Sequence, residues 1–299
     1  MSWATSWHRS ARWGLWSLCV GIFAAPLPAA AFAFATSWEG SPCTASAWSF
    51  VAGGGVAGGP YGATPVLRYS GACAYRVVDT NGSLRSDHPA NEPTYRARFY
   101  VFPQTSAGAV VLFQARNASG VPQFSIAHDP VADAFLVYIG MVAAGAPDTM
   151  ITGASEFRWY SVEVSYGATQ KLGVTVHGAG SGTPIAVVTS VASVADSSID
   201  TASLGWLATA NGNPTGAINF DAFESNNLAS PIGPLCRGDV NGDSFVDGND
   251  YQMLTEEILR RRDAGNVPII ATGQPDCTED GKLDAFDRVC VVKLAGACP

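Results

Sequence analysis

The chain has 299 residues, is 47% hydrophobic and 14% charged, and carries a formal net charge of -8. Such a composition excludes a disordered chain, and the length allows one large core with a small satellite. Nothing basic is concentrated enough to suggest a nucleic-acid footprint. The acidity is uneven: residues 36–235 hold 13 acids and 8 bases, residues 236–299 hold 12 and 7.

Residues 1–35 read as a secretory signal. Arg9 and Arg12 precede an apolar run from Trp13 to about Ala25, and small residues then alternate through Ala29, Ala31, Ala33 and Ala35. Cleavage is expected after Ala33 or Ala35. Pro26 and Pro28 interrupt a run already too short to span a bilayer, and no later stretch is long enough, so no membrane span is expected once the signal is removed. The expected location is extracellular or at the cell surface. Of 7 cysteines, Cys19 leaves with the signal. The other six, Cys43, Cys73, Cys236, Cys277, Cys290 and Cys298, favour disulfides in an oxidising compartment. Cys43 and Cys73 have no other candidate nearby and are expected to pair, closing a loop worth about 3 kcal/mol in the chain-entropy model.

Residues 36–61 are rich in Trp, Ser, Gly and Ala, and Gly53–Gly55 and Gly58–Pro60 read as loop. From 66 to 225 the pattern has period two. Tyr95, Ala97, Phe99 and Val101 alternate with Arg96, Arg98 and Tyr100, and Tyr160, Val162, Val164 and Tyr166 alternate with Ser161, Glu163 and Ser165. Leu172, Val174 and Val176 repeat the pattern, as do Ile218, Phe220 and Ala222. Further strands are expected over 73–78, 110–115, 124–128, 135–139, 185–189 and 204–208. About ten strands with turns between them predict a mostly β protein, an antiparallel β-sandwich over 36–229.

Several strings in this region, among them Tyr95–Phe99, Trp159–Tyr166, Leu172–Val176 and Gly216–Phe223, resemble a concanavalin A-like or laminin G-like jelly roll. The resemblance implies glycan binding, and in some members glycoside hydrolysis or lyase activity. Hydrolases of that fold carry their acids as Glu-x-Asp-x-x-Glu on one strand, and the string is absent. Asp221 and Glu224, three apart in a strand, are expected on opposite faces. Asp221 is expected to bond to a turn or a neighbouring strand. His88, His128 and His177 stand apart without a catalytic motif, so no catalytic residue is assigned. Trp159, Trp206 and Tyr100 are the candidates for a sugar-stacking platform.

A linker over 230–235, with Ser230, Pro231, Gly233 and Pro234, leads to a tail over 236–299. Counted from Asp239, oxygen-bearing side chains fall at positions 1 (Asp239), 3 (Asn241), 5 (Asp243), 9 (Asp247) and 12 (Asp250), with the Phe245 carbonyl at position 7. That is the order in which a twelve-residue loop wraps a calcium ion, and a shared divalent charge relieves the repulsion among the carboxylates. A second copy has Asp276, Thr278, Asp280, Lys282 through its carbonyl, Asp284 and Asp287. Two Ca²⁺ sites are therefore expected. Pro231, Gly233, Pro234 and Gly238 forbid the leading helix of an EF-hand, whereas Tyr251, Leu254 and Ile258 predict a helix after the first loop through Arg262. A second helix is expected from near Asp287 through Val292.

The Gly238-Asp239-Val240-Asn241-Gly242-Asp243 opening and the Asp that closes each loop resemble a type I dockerin. The resemblance implies a small α-helical domain of two calcium loop-helix units that docks a cohesin-like protein. It also implies partner contacts at loop positions 10 and 11, here Gly248 and Asn249, then Ala285 and Phe286. The copies differ there, which argues against symmetric two-way docking. The tail's four cysteines allow three pairings; Cys236 with Cys298, clasping the module's ends, and Cys277 with Cys290 is preferred.

These features predict a secreted modular protein: a carbohydrate-binding sandwich and a calcium-dependent interaction module, associated with polysaccharide binding or breakdown. The alternatives are a polysaccharide-degrading hydrolase or lyase and a surface structural protein that calcium stiffens.

Overall fold

A computed structural model describes residues 33–36, 43–58, 66–70, 73–79, 82–140, 142, 146–167, 172–178, 184–191, 198–241, 245–264, 274–278 and 283–297. The chain divides into two compact units, Met1–Ala30 and Ala31–Pro299, and every described residue lies in the second.

Alternating apolar residues bury one face of a strand, so the period-two segments become the strands of two stacked sheets. In chain order they are β1 (Ala33–Thr36), β2 (Phe50–Ala52), β3 (Val56–Gly58), β4 (Ala74–Val78), β5 (Ser83–Ser86) and β6 (Thr94–Ser106). There follow β7 (Val110–Arg116), β8 (Pro122–Asp129), β9 (Ala134–Ile139), β10 (Thr149–Thr152), β11 (Tyr160–Gly167) and β12 (Leu172–Gly178). The last three are β13 (Pro184–Val191), β14 (Thr201–Thr209) and β15 (Thr215–Asn226). Sheet one runs β13-β12-β11-β6-β15-β4-β3, with β1 also on β15; sheet two runs β10-β9-β8-β7-β14-β5-β2. All ten expected strands are present. Gly53–Gly55 connect β2 to β3 as expected, whereas Gly58, expected in a loop, ends β3; both strands have three residues, too few to show a period.

Between the sheets lies an aromatic core. Phe99 stacks on Phe113 at 5.3 Å, Phe124 on Tyr166 at 5.6 Å, and Phe135 meets Tyr160 edge-on at 5.4 Å. Cys43 and Cys73 form a disulfide at the rim of this core.

The tail has two helices, α1 (Gly248–Ala264) and α2 (Ala285–Leu294), and two short strands, β16 (Phe245–Val246) and β17 (Gly296–Ala297), which pair antiparallel. Both helices start before their expected first residues, because the Asp at loop position 9 caps each one. Asp247 accepts the Asn249 N–H at 2.7 Å and Asp284 the Phe286 N–H at 2.8 Å. A core of its own holds the tail together: Val240, Val246, Leu254, Cys277 and Val291. Cys277–Cys290 is a disulfide, and Cys236 is also disulfide-bonded. The expected partner Cys298 lies outside the described residues.

Candidate functional site

The two tail loops repeat one hydrogen-bond net. Asp250, fully buried, accepts the N–H of position 3, Asn241, on Oδ1 at 3.1 Å and that of position 9, Asp247, on Oδ2 at 2.7 Å. Asp287, also fully buried, accepts Thr278 N–H on Oδ1 at 2.9 Å and Asp284 N–H on Oδ2 at 2.8 Å. Each carboxylate takes a third donor on Oδ1: Val240 N–H at 2.7 Å in the first loop, the Thr278 hydroxyl at 2.9 Å in the second. These donors occupy three of the roughly four lone-pair sites of each carboxylate.

The donor chemistry fits a hard cation. Asp239 is 6% exposed and shares the first loop with the buried Asp250, so two carboxylates are withdrawn from water within one turn. Oxygen is the only side-chain ligand type at positions 1, 3, 9 and 12 of either loop, a set suited to calcium and not to zinc. Among the described residues no three His, Cys, Asp or Glu side chains converge on one point. Asp243, Asp280 and Lys282 lie outside those residues, and Phe245 projects its ring to solvent.

The expected partner-contact residues Gly248, Asn249, Ala285 and Phe286 are all exposed. On α2 they continue into an apolar row: Phe286 is 71% exposed, Val289 51% and Val292 61%. The matching positions on α1, one repeat earlier, are Asn249, Gln252 and Thr255. The second helix therefore offers a greasy face where the first offers a polar one.

On the sandwich, the outer face of sheet one is where polar and aromatic side chains gather. Asp221 lies opposite Tyr100 on β6, and Glu224 lies opposite Arg98. The opposite-face expectation for Asp221 and Glu224 is thereby corrected. The register shifts between them, and Ala222 has φ 44°, so a bulge adds one residue and returns Glu224 to the face that Asp221 occupies. Neither acid is free for chemistry. Asp221 is fully buried and accepts the N–H groups of Tyr69 at 2.6 Å and Ser70 at 2.8 Å; Glu224 pairs with Arg98 at 3.1 Å.

The linker lies along this same face. Glu163 accepts Ile232 and Gly233 N–H at 2.9 Å each, Arg98 donates to the Gly233 carbonyl at 3.0 Å, and the Tyr100 hydroxyl accepts Leu235 N–H at 2.7 Å. Arg96 donates to the carbonyls of Leu228 and Ala229 at 2.9 and 2.7 Å. Tyr100 is thus capped, with Tyr69 stacked on its ring at 3.9 Å, and its burial pushes the hydroxyl above its ordinary pKa. Two platform candidates are corrected here: Tyr100 is 1% exposed, and Trp206, 4% exposed, belongs to the core. At Trp206 the β14 register shifts between Leu204 and Ala208, which spoils a face assignment made by alternation.

Trp159 remains half-exposed, at a cleft of about 240 Å³ lined by Phe102, Gly153, Phe157, Arg158, Gly178 and Ile185. Its ring is 5.4 Å from Phe102 and 5.8 Å from Tyr69. Phe157, which the sequence reading missed, is 62% exposed with φ 61°, anchored by its N–H to the Pro103 carbonyl at 2.9 Å. A left-handed backbone under an exposed aromatic costs energy and gains no burial, a combination that gathers at binding sites. The cleft has aromatic walls and one exposed guanidinium, suited to stacking a flat apolar ring face with polar edges.

His88, His128 and His177 are far apart in role. His88 Nδ1 meets the Ser86 hydroxyl at 2.8 Å, His177 is buried in β12, and His128 Nε2 donates to the Ala154 carbonyl at 2.7 Å. Among the described residues, no helix is long and apolar enough to cross a membrane.

Residues 237–294 match the family of the Dockerin type I domain. No curated protein matches the chain. Among solved structures it is similar to endo-beta-1,4-glucuronan lyase from the fungus Trichoderma reesei, at 12% identity over 67% of this chain and 98% of that one, TM-score 0.46. Cellulose induced protein Cip1 is similar at 15% identity over 67% and 99%, TM-score 0.44. A mutant Trypanosoma rangeli sialidase displaying trans-sialidase activity is similar at 15% identity over 56% of this chain and 26% of that one, TM-score 0.36, so the chain spans about a quarter of the sialidase.

Proposed function

We propose that this chain is a secreted modular protein that ties a polysaccharide-binding sandwich to a calcium-dependent docking tail. The observation that carries the reading is the duplicated acceptor net of Asp250 and Asp287, on residues that match a dockerin domain. Calcium would be held by Asp239, Asn241, Asp243, Asp247, Asp250 and the Phe245 carbonyl in the first loop. Asp276, Thr278, Asp280, Asp284, Asp287 and the Lys282 carbonyl would hold it in the second. The ion supplies the positive charge that lets these oxygens share a turn, and fixes the loops from which α1 and α2 start. A cohesin-like partner is taken by the exposed starts of the helices, with the apolar row of α2 as the larger contact. Polysaccharide is held at the Phe157–Trp159 cleft.

The test has two arms on the full chain. Calcium-dependent capture of a cohesin, abolished by chelator, is expected for the tail; retention on insoluble polysaccharide, lost with Trp159→Ala, is expected for the sandwich. Capture that ignores chelator sinks the first, and retention unchanged by Trp159→Ala sinks the second. The shared face of Asp221 and Glu224 favours a hydrolase or lyase as a second reading, but their bonds to Tyr69, Ser70 and Arg98 weigh against it. No release of reducing or unsaturated ends is expected.

A further inference from the structure

Alanines stand two apart at 29/31, 31/33 and 33/35, so three adjacent frames suit a peptidase that reads small residues at alternate positions. The structure separates them. Ala33–Thr36 is β1, paired residue for residue with Asn226 back to Phe223 of β15. This half of β15 has β6 on one side and β1 on the other, since the ladder with β4 ends at Phe220. Within β1, Phe34 is 8% exposed. Its ring stacks on His88 at 4.2 Å, meets Trp48 edge-on at 5.5 Å and leans on Phe223 at 5.9 Å. Trp48 and Phe223 are themselves 4.8 Å apart, so Phe34 completes a cluster of rings that belongs to the main core.

Cleavage after Ala35 removes Phe34 and leaves one residue of the strand. The backbone of β15 from Glu224 to Asn226 then loses its β1 neighbour and keeps only β6, and a large apolar contact is emptied. Cleavage after Ala31 or Ala33 keeps the ring in place. We propose that the bond cut on export lies before Phe34, after Ala31 or Ala33, and that the first residues of the mature chain are a structural strand of sheet one. This rests on the secretory reading above.

The full chain, exported from a bacterial host, is examined by intact mass and N-terminal sequencing. A first residue of Phe32 or Phe34 is expected; Thr36, or any later start, overturns the proposal. An uncut product beginning at Met1 overturns the secretory reading itself and is told apart by mass. Full-length mature chains beginning at Phe34 and at Thr36, each released from an unrelated leader, are then melted side by side. The shorter chain is expected to melt roughly 5–15 °C lower, from the loss of one buried Phe in a domain of this size. Phe34→Ala is expected to follow it and Phe34→Leu to recover most of the loss. Equal melting of all four overturns the structural role of the strand.

Discussion

Asp250 and Asp287 occupy the same place in two copies of one turn, each binding the amides of loop positions 3 and 9 through its two oxygens. The donors they hold are backbone or hydroxyl groups of their own loop, so each carboxylate is the keystone of one repeat. Asp250→Asn replaces one acceptor oxygen by a donor that faces an amide N–H. The substitution is expected to cost roughly 1–3 kcal/mol and to lower calcium affinity at the first loop at least tenfold, as read by titration calorimetry. Chelator added to the intact chain is expected to lower the far-UV helical signal and leave the near-UV aromatic signal of the sandwich unchanged.

Glu163 governs how the linker lies. With both its oxygens taken by Ile232 and Gly233, Glu163→Gln keeps one acceptor and offers a donor in place of the other. Amide exchange at Ile232 and Gly233 is expected to speed up at least tenfold, and limited proteolysis to cut between residues 228 and 235 where the parent chain resists.

Phe157 separates stability from binding. Replacing it by Gly relieves the left-handed backbone, for a gain of about 0.5–1 kcal/mol in thermal unfolding, while an exposed ring gives up little burial. Retention on polysaccharide is expected to fall several-fold in the same variant. A variant that is both more stable and a poorer binder distinguishes a retained functional ring from an accidental one.

His128 supplies a pH dependence. Burial holds its imidazole below the ordinary value, against the opposing pull of the Ala154 carbonyl, Glu156, Asp129 and Asp133. Nε2 donates to Ala154, and the buried Nδ1 has no hydrogen-bond partner among the described residues. The unfolded chain therefore binds a proton at higher pH than the folded one. The contribution is intact above about pH 6.5 and is lost as the pH falls below it. The melting temperature is expected to drop as the pH falls below about 6.5, and His128→Gln to flatten that drop.

Much of this was legible because the physics was local. Val162 and Val164 line one face of β11 and the polar Ser161 and Glu163 the other, so alternation alone finds the strand; loop spacing alone finds Asp239 through Asp250. What failed depended on a single inserted residue or a distant partner. The bulge at Ala222 reverses the face of Glu224 without leaving a mark in composition. Pro231, Gly233 and Pro234 read as a tether, yet a segment without its own secondary structure has amides and carbonyls to offer, and Glu163, Arg96 and Arg98 take them. Tyr100 does point away from the core, as alternation says, and is buried by chain 135 residues away.

Val246 pairs with Gly296, and Cys236 packs against the small core to which Val246 belongs, so the chain enters the tail close to where it leaves α2 behind. A module whose way in and way out are neighbours behaves as a cassette: it can be spliced into a surface turn of an unrelated scaffold without stretching either junction. Grafted that way, with its disulfide-bonded cysteines kept, it would give the host a binding handle that an added chelator switches off.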